Sequence, residues 1–114
     1  MARTRLIVEL GTGIDIHGQD YTLSATRAVD DAVHRSGLLY LADARKEGRT
    51  PTKLYIDVTI ASPKPEAVDT EAVLQPLVFG EKSVKVVAGG MEVEDTAPDR
   101  IVISNAAILV TMES

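Results

Sequence analysis

The stretch KLYIDVTIA, residues 53–61, decides the fold class, because apolar and polar side chains alternate along its whole length. One side carries four aliphatic residues, Leu54, Ile56, Val58 and Ile60. The other side carries Lys53, Tyr55, Asp57 and Thr59. This alternation predicts a β-strand with one buried and one wetter face. The strand ends at Ser62-Pro63-Lys64-Pro65-Glu66, because proline fixes φ and lacks a backbone donor.

The rest of the chain predicts the element order strand, helix, strand, helix, strand, strand. Further apolar runs predict strands at residues 6–10, 83–88 and 101–112, and short helices at 38–42 and 69–74. The main helix is capped by Asp20 or Thr22, ends at Gly37, and carries an alanine-rich stripe that fits closely against a sheet. We therefore predict a single α+β domain over residues 1–114, with helices on one face of a mixed four-stranded sheet. The last two strands, joined by residues 89–100, either pair as a hairpin or flank the sheet.

Length and composition bear on the second face of that sheet. The chain has 114 residues, of which only 4% are aromatic, so its core depends on aliphatic side chains that each bury less area. The predicted helices cover one sheet face, and the simplest cover for the other face is another subunit. We therefore predict a homo-oligomer, with Tyr55, Thr59 and the apolar side of the last strand at the contact.

Charge excludes several classes of partner. The chain carries 12 basic and 17 acidic residues, and its densest basic stretch, residues 44–49, is interrupted by Glu47. A net charge of −5 without a basic stripe repels phosphate backbones, so we predict no nucleic-acid binding. No apolar run is long enough to span a membrane, and cysteine is absent. These features predict a soluble cytoplasmic protein with no membrane partner.

The segment GTGIDIHG, residues 11–18, is the sharpest candidate for chemistry. We predict it as a loop between a strand end and a helix start, where open sheets place ligands. Asp15 argues against a phosphate cradle, which needs amides without a carboxylate. Asp15 and His17 lie two residues apart, and together they suit a divalent metal such as zinc or manganese. A third ligand would come from Asp20, His34, Glu66 or a neighbouring subunit.

A structural interpretation of the same segment stays open beside the metal site. Asp15 could accept amide hydrogens within the loop while His17 binds a carbonyl. As a catalytic set, Asp15 would be a ligand or general base, His17 a ligand or acid–base group, and Arg27 an anion partner. Ligand contacts are predicted for Gly11, Gly13, Gly18, Ser62, Lys64 and Glu66. Ser104-Asn105, which interrupts the last strand, either faces the second sheet surface or completes a site.

The pattern Gly-x-Gly-x-Asp-x-His-Gly at 11–18, followed by Thr22 and residues 25–29, resembles the uncharacterised Lin0512 family of small bacterial proteins. Residues 80–84 and 103–107 fit it too, so the resemblance covers nearly the whole chain. It implies a family without an established activity. A more distant likeness, at 27–33 and 62–66, is to one repeat unit of the ring-opening amidohydrolases (the cyanuric acid hydrolase and barbiturase group). The chain departs from that unit at Leu23 and at Ser62-Pro63-Lys64.

The Asp-x-His spacing is also similar to the metal-binding strand end of the cyclodiphosphate synthases, which are trimers, although the rest of that signature is missing. Two functions remain open. The first is an oligomeric enzyme that acts on a small polar or anionic, cyclic amide-like metabolite at an inter-subunit site built from residues 11–18, with or without a metal. The second is a non-catalytic assembly or small-ligand-binding module in which the same segment is structural.

Overall fold

The computed structural model describes residues 2–49, 53–95 and 99–113. Five strands are present in these ranges: β1 (Arg3–Asp15), β2 (Leu54–Ser62), β3 (Glu81–Ala88), β4 (Met91–Glu94) and β5 (Arg100–Glu113). Three helices accompany them: α1 (Tyr21–Val33), α2 (Ser36–Lys46) and α3 (Thr70–Val73). A short 3₁₀ turn, Pro65–Ala67, precedes α3.

The strands form one mixed sheet in the order β1-β5-β2-β3, and β4 pairs with the first residues of β5. Strand β5 is antiparallel to both β1 and β2, whereas β2 and β3 are parallel. The predicted α+β class is confirmed, with five strands instead of four. The predicted choice between a terminal hairpin and a flanking strand is wrong, because β5 lies in the middle of the sheet. That central position explains its long apolar run. Residues 96–98 of the predicted connection lie outside the described residues.

The hydrophobic core lies between one face of this sheet and the helices. Its sheet side is formed mainly by alternate residues of β2 and β5: Leu54, Ile56, Val58, Ile60, Ala106, Ile108 and Val110. Its helix side includes the alanine stripe of α1 that the sequence predicts, at Ala25, Ala28 and Ala32. The core face and the α1 stripe therefore agree with the pattern of the sequence.

Strand β1 is longer than predicted, because it continues through Gly11 and Gly13 to Asp15. The interpretation of residues 11–15 as loop is therefore wrong. Both glycines face α1, and a Cβ on either one would overlap the helix backbone, at Ala28 for Gly11 and at Ser24 for Gly13. The missing side chains let the backbone of α1 lie directly on the strand. These glycines thus serve helix–strand packing rather than a turn.

The helix ends differ from the predictions at Gly37 and in α2, which spans Ser36–Lys46 instead of 38–42. Asp20 caps α1 through a hydrogen bond from the Leu23 amide, and Asp69 caps α3, as the sequence predicts. The predicted stop at Gly37 is wrong, because α1 ends at Val33 and Gly37 lies in the first turn of α2. There its amide donates to the Glu9 carboxylate over 2.9 Å, which ties α2 to β1.

Candidate functional site

Asp15 lies at the end of β1 and is buried, with 4% of its surface exposed. Its carboxylate accepts a hydrogen bond from the Asp20 amide over 2.9 Å and lies 3.8 Å from the Arg27 guanidinium. These contacts hold the short connection between β1 and α1 in place. Arg27, predicted as an anion partner, also donates to the Ile14 carbonyl over 2.6 Å. Both side chains are therefore engaged by the backbone of residues 14–20.

His17 turns to a different partner from Asp15. Its Nδ1 lies 3.0 Å from the Asp99 carboxylate, and the Gly18 amide donates to the same carboxylate over 3.4 Å. The His17 hydrogen bond, with the Gly18 amide second, lowers the pKa of Asp99. Gly18 itself has a φ of +88°, which favours glycine. The structure thus joins the connection after β1 to the start of β5, while the Asp15 carboxylate and the His17 imidazole bind different groups.

The residues at the end of β2 are also engaged locally. The Ser62 side chain is wholly buried, and its hydroxyl accepts a hydrogen bond from the Lys64 amide over 3.2 Å. The Lys64 ammonium lies 6.0 Å from the centre of the Tyr21 ring, and Glu66 is exposed. Within the described residues, no group of three or more His, Cys, Asp and Glu side chains is placed to hold a metal ion. Within the described part of one subunit the predicted third ligand is therefore not in place, and a ligand from a neighbouring subunit stays a prediction.

A polar cluster that sequence reasoning missed joins α1 to β4 and β5. Tyr21 donates a hydrogen bond to Glu92, and Gln19 donates to the Tyr21 hydroxyl over 3.0 Å. Arg100 donates to Glu92 and, over 3.1 Å, to Glu94. The bond from Tyr21 lowers the pKa of Glu92 and, with burial, raises the pKa of Tyr21. These groups satisfy one another, so the cluster holds β4 against the helix layer.

The cluster predicts a measurable acid sensitivity. The pKa of Glu92 is lower in the folded state than the value of about 4.3 for an unfolded glutamate. Its ionised form therefore stabilises the fold above that pH, and this stabilisation is lost as the pH falls through the folded pKa. We expect Glu92→Gln to lower the melting temperature at pH 7 and to lower it by less at pH 3, where part of that stabilisation is lost. Circular dichroism melts of both proteins at the two pH values measure this, and an equal gap at both values would contradict it.

The opposite face of the sheet is the second candidate surface, and in the described residues the helices leave it uncovered. Several of its large apolar side chains are exposed: Val8, Leu10, Ile14, Val87, Met91 and Val93. The most exposed of those on β1 is Leu10, at 64%. Tyr55 and Thr59 belong to this face, as predicted, although Tyr55 is covered by the Arg3 guanidinium 3.6 Å above its ring. We call this surface the open face.

The open face has a ridge beside a groove. Val8 and Leu10 form the ridge along β1. The groove follows β5 and β2, where Ala107, Thr59 and Ala61 have small side chains, and it consists of two hollows of about 450 and 400 Å³. Thr59 and Ala107 line both hollows, so the two are continuous. Small side chains in the middle of β5 and β2, next to larger ones on β1, therefore form this groove.

Ser104 and Asn105 separate onto the two sheet faces. The Ser104 hydroxyl is buried in the core and accepts a hydrogen bond from Ser24 over 2.7 Å. Asn105 lies on the open face and donates to the Thr12 hydroxyl over 3.3 Å. Of the two outcomes predicted for this pair, Asn105 therefore shows the first, because it faces the second sheet surface.

Comparison with known proteins gives a family and a close structural relative. The sequence profile of a family described as "Conserved hypothetical protein (Lin0512_fam)" matches residues 5–110. The crystal structure of an FtsZ-like protein of unknown function from Nostoc punctiforme PCC 73102 is similar, with 39% identity and a TM-score of 0.82. That similarity covers 100% of this chain and 99% of the other. None of the curated proteins compared with the chain matches it. Among the described residues, no helix has the length and apolar character needed to cross a membrane.

Proposed function

This chain belongs to the Lin0512_fam family of conserved hypothetical proteins, and from that premise we propose that it is a self-assembling module whose copies associate through the open face. The observation that carries the proposal is the exposure of large apolar side chains there, from 40% at Val93 to 64% at Leu10. Large apolar side chains that are exposed together on one face mark a contact with another protein more often than single scattered ones do. The family name supplies no activity, so this surface is the feature from which the function is inferred.

The dimensions of the subunit support the proposal. The chain extends over 50 × 26 × 18 Å, with a radius of gyration of 15.2 Å. A compact domain of this length would have a radius of gyration of about 13 Å. Its accessible surface of 6532 Å² also exceeds the roughly 6,100 Å² expected for a monomer of this mass. A thin slab with one uncovered face buries less apolar surface than a globule, and association restores that burial.

The sheet edges are less suited to association than the face. On the free edge of β1, the Thr12 amide donates to the Asp31 carboxylate over 2.9 Å, so a side chain already occupies that position. The hydrogen bond from Thr12 lowers the pKa of Asp31. A second edge strand, β3, carries Lys82 and Lys85, and lysines on an edge oppose strand addition. The face is therefore the better contact.

The contacts of residues 11–18 support the second of the two functions left open by the sequence. Gly11 and Gly13 admit the backbone of α1, and Asp15 binds the Asp20 amide. His17 binds Asp99 across the connection. Each of these groups has a role in holding β1, α1 and β5 together, and that role accounts for the motif without a substrate.

The test is the oligomeric state of the purified chain. Four strands about 4.8 Å apart and nine residues of about 3.3 Å each give a plan area of roughly 570 Å². Side-chain relief brings that area towards the roughly 800 Å² per partner of a stable interface. We expect sedimentation velocity to show an assembly at micromolar concentration, little weakened by salt, because the contact is mainly apolar. A monomer at about 1 mM chain would overturn the proposal.

A further inference from the structure

We infer that the assembly is a two-fold dimer in which the β1 ridge of each copy lies in the β5–β2 groove of the other. This inference rests on the proposed function and specifies its partner, a second copy of the chain. In a two-fold interface the same patch meets itself, so it must be self-complementary. The open face fulfils this condition because ridge and groove lie side by side on one surface.

The strand order determines where the axis lies. Strand β5 has β1 on one side and β2 on the other. A two-fold axis that runs along β5, between the two sheets, exchanges these neighbours, so that β1 of one copy faces β2 of the other. Stacked sheets lie about 10 Å apart and cross at about 30°, which an axis inclined by roughly 15° to β5 produces.

The pairing register then selects the residues that meet. Leu10 pairs with Ala107, and Ala107 pairs with Thr59, so the three form one row across the sheet. Exchange about β5 places Leu10, the high point of the ridge, above Thr59 in the groove of the second copy. The large side chain thus meets the small one. A contact of one ridge with the other ridge would bring two large side chains together and lacks this complementarity.

The next row accounts for the position of Asn105. It lies on β5 between Thr12 on β1 and Ala61 on β2, and therefore next to the axis. The bond to Thr12 uses one of the amide's two N–H groups. Because an amide both donates and accepts, two Asn105 side chains can bond to each other across the axis. A single polar pair in an apolar contact specifies register, as buried asparagines do in coiled coils.

The charged end of the groove is compatible with this arrangement. Val8 pairs with Leu109, and Leu109 pairs with Asp57, so these three residues form another row across the sheet. The Asp57 carboxylate accepts a hydrogen bond from Ser83 and lies 3.4 Å from the Arg3 guanidinium. Its charge is therefore balanced within its own subunit, and Val8 meets a paired carboxylate instead of a free one.

Thiol crosslinking tests the arrangement, because the chain contains no cysteine. Leu10→Cys and Thr59→Cys are made in separate chains. The two variants are mixed, diluted so that their subunits exchange, reconcentrated and treated with bismaleimidoethane. We expect crosslinked dimer in the mixture, about tenfold or more above either variant alone, because the interface gives the two thiols a high effective concentration. Leu39→Cys, 45% exposed on α2 in the helix layer, is the matched control mixed with Thr59→Cys.

Sedimentation of the same samples separates the two proposals. An assembled protein that crosslinks Leu10→Cys with itself, or crosslinks the Leu39→Cys mixture equally well, overturns the ridge-in-groove arrangement and leaves self-association standing. A trimer or larger assembly with little crosslinking in the Leu10→Cys and Thr59→Cys mixture also overturns the arrangement and leaves self-association standing. Monomers in every sample overturn both proposals. Dimers with crosslinking confined to the Leu10→Cys and Thr59→Cys mixture support both.

Discussion

Leu10→Asp is expected to convert the assembled protein into folded monomers. Leu10 is 64% exposed in the subunit, so its replacement removes little of the monomer's own packing. In the assembly, burial of the exposed 64% of Leu10 contributes about 1–2 kcal/mol, and a two-fold contact counts it twice. A loss of roughly 2–4 kcal/mol raises the dissociation constant by about 30–10³-fold, before the cost of burying a carboxylate is added.

The matched control for this prediction is Leu39→Asp. Leu39 is 45% exposed on α2, so the control makes the same substitution at a comparably exposed leucine on the opposite layer. We expect its dissociation constant to equal that of the unaltered chain. Sedimentation over a dilution series measures all three proteins, and circular dichroism confirms that each is folded. If Leu10→Asp associates as tightly as the control, the open face is not the contact.

Local sequence patterns predicted the elements better than their arrangement. Residues 53–61 and the alanine stripe of α1 show their buried faces directly, because periodicity records which side of an element avoids water. Periodicity does not record which strands pair. A chain that pairs β5 with β1 and β2 must bring together residues far apart in sequence. The central place of β5 therefore followed only from the three-dimensional structure.

At the candidate site, too, local sequence patterns identified the segment but not its contacts. The pattern of residues 11–18 marked a segment with a specific role, but the role of each glycine depended on where α1 lies. Asp99 is 82 residues from His17, and Glu92 is 71 from Tyr21. No local signal couples such pairs, since an isolated Asp or Glu in a polar stretch is common on any surface. Sequence spacing placed Asp15 and His17 together, whereas the fold gave each a different partner.

Gly13→Ala is expected to destabilise the subunit strongly. The added Cβ would lie against the Ser24 carbonyl, the Ala28 amide and, at 2.8 Å, the Arg27 carbonyl carbon, whereas real Cβ atoms stay beyond about 3.0 Å. These are backbone atoms of α1, so the whole helix must move. Overpacking of this kind costs about 3 kcal/mol or more. Since total stability is of order 10 kcal/mol, we expect the melting temperature to fall by roughly 12 °C or more.

Gly18→Ala separates steric packing from backbone strain within the same motif. At Gly18 an added Cβ meets no heavy atom within 4 Å, and only the φ of +88° opposes alanine. That strain costs about 1–2 kcal/mol, so this variant should melt well above Gly13→Ala. Calorimetry of both variants decides whether residues 11–18 serve the packing of the fold or a ligand. If Gly13→Ala is as stable as the unaltered chain, close packing of α1 does not explain the glycines. Ligand binding at residues 11–18 is then the better explanation of them.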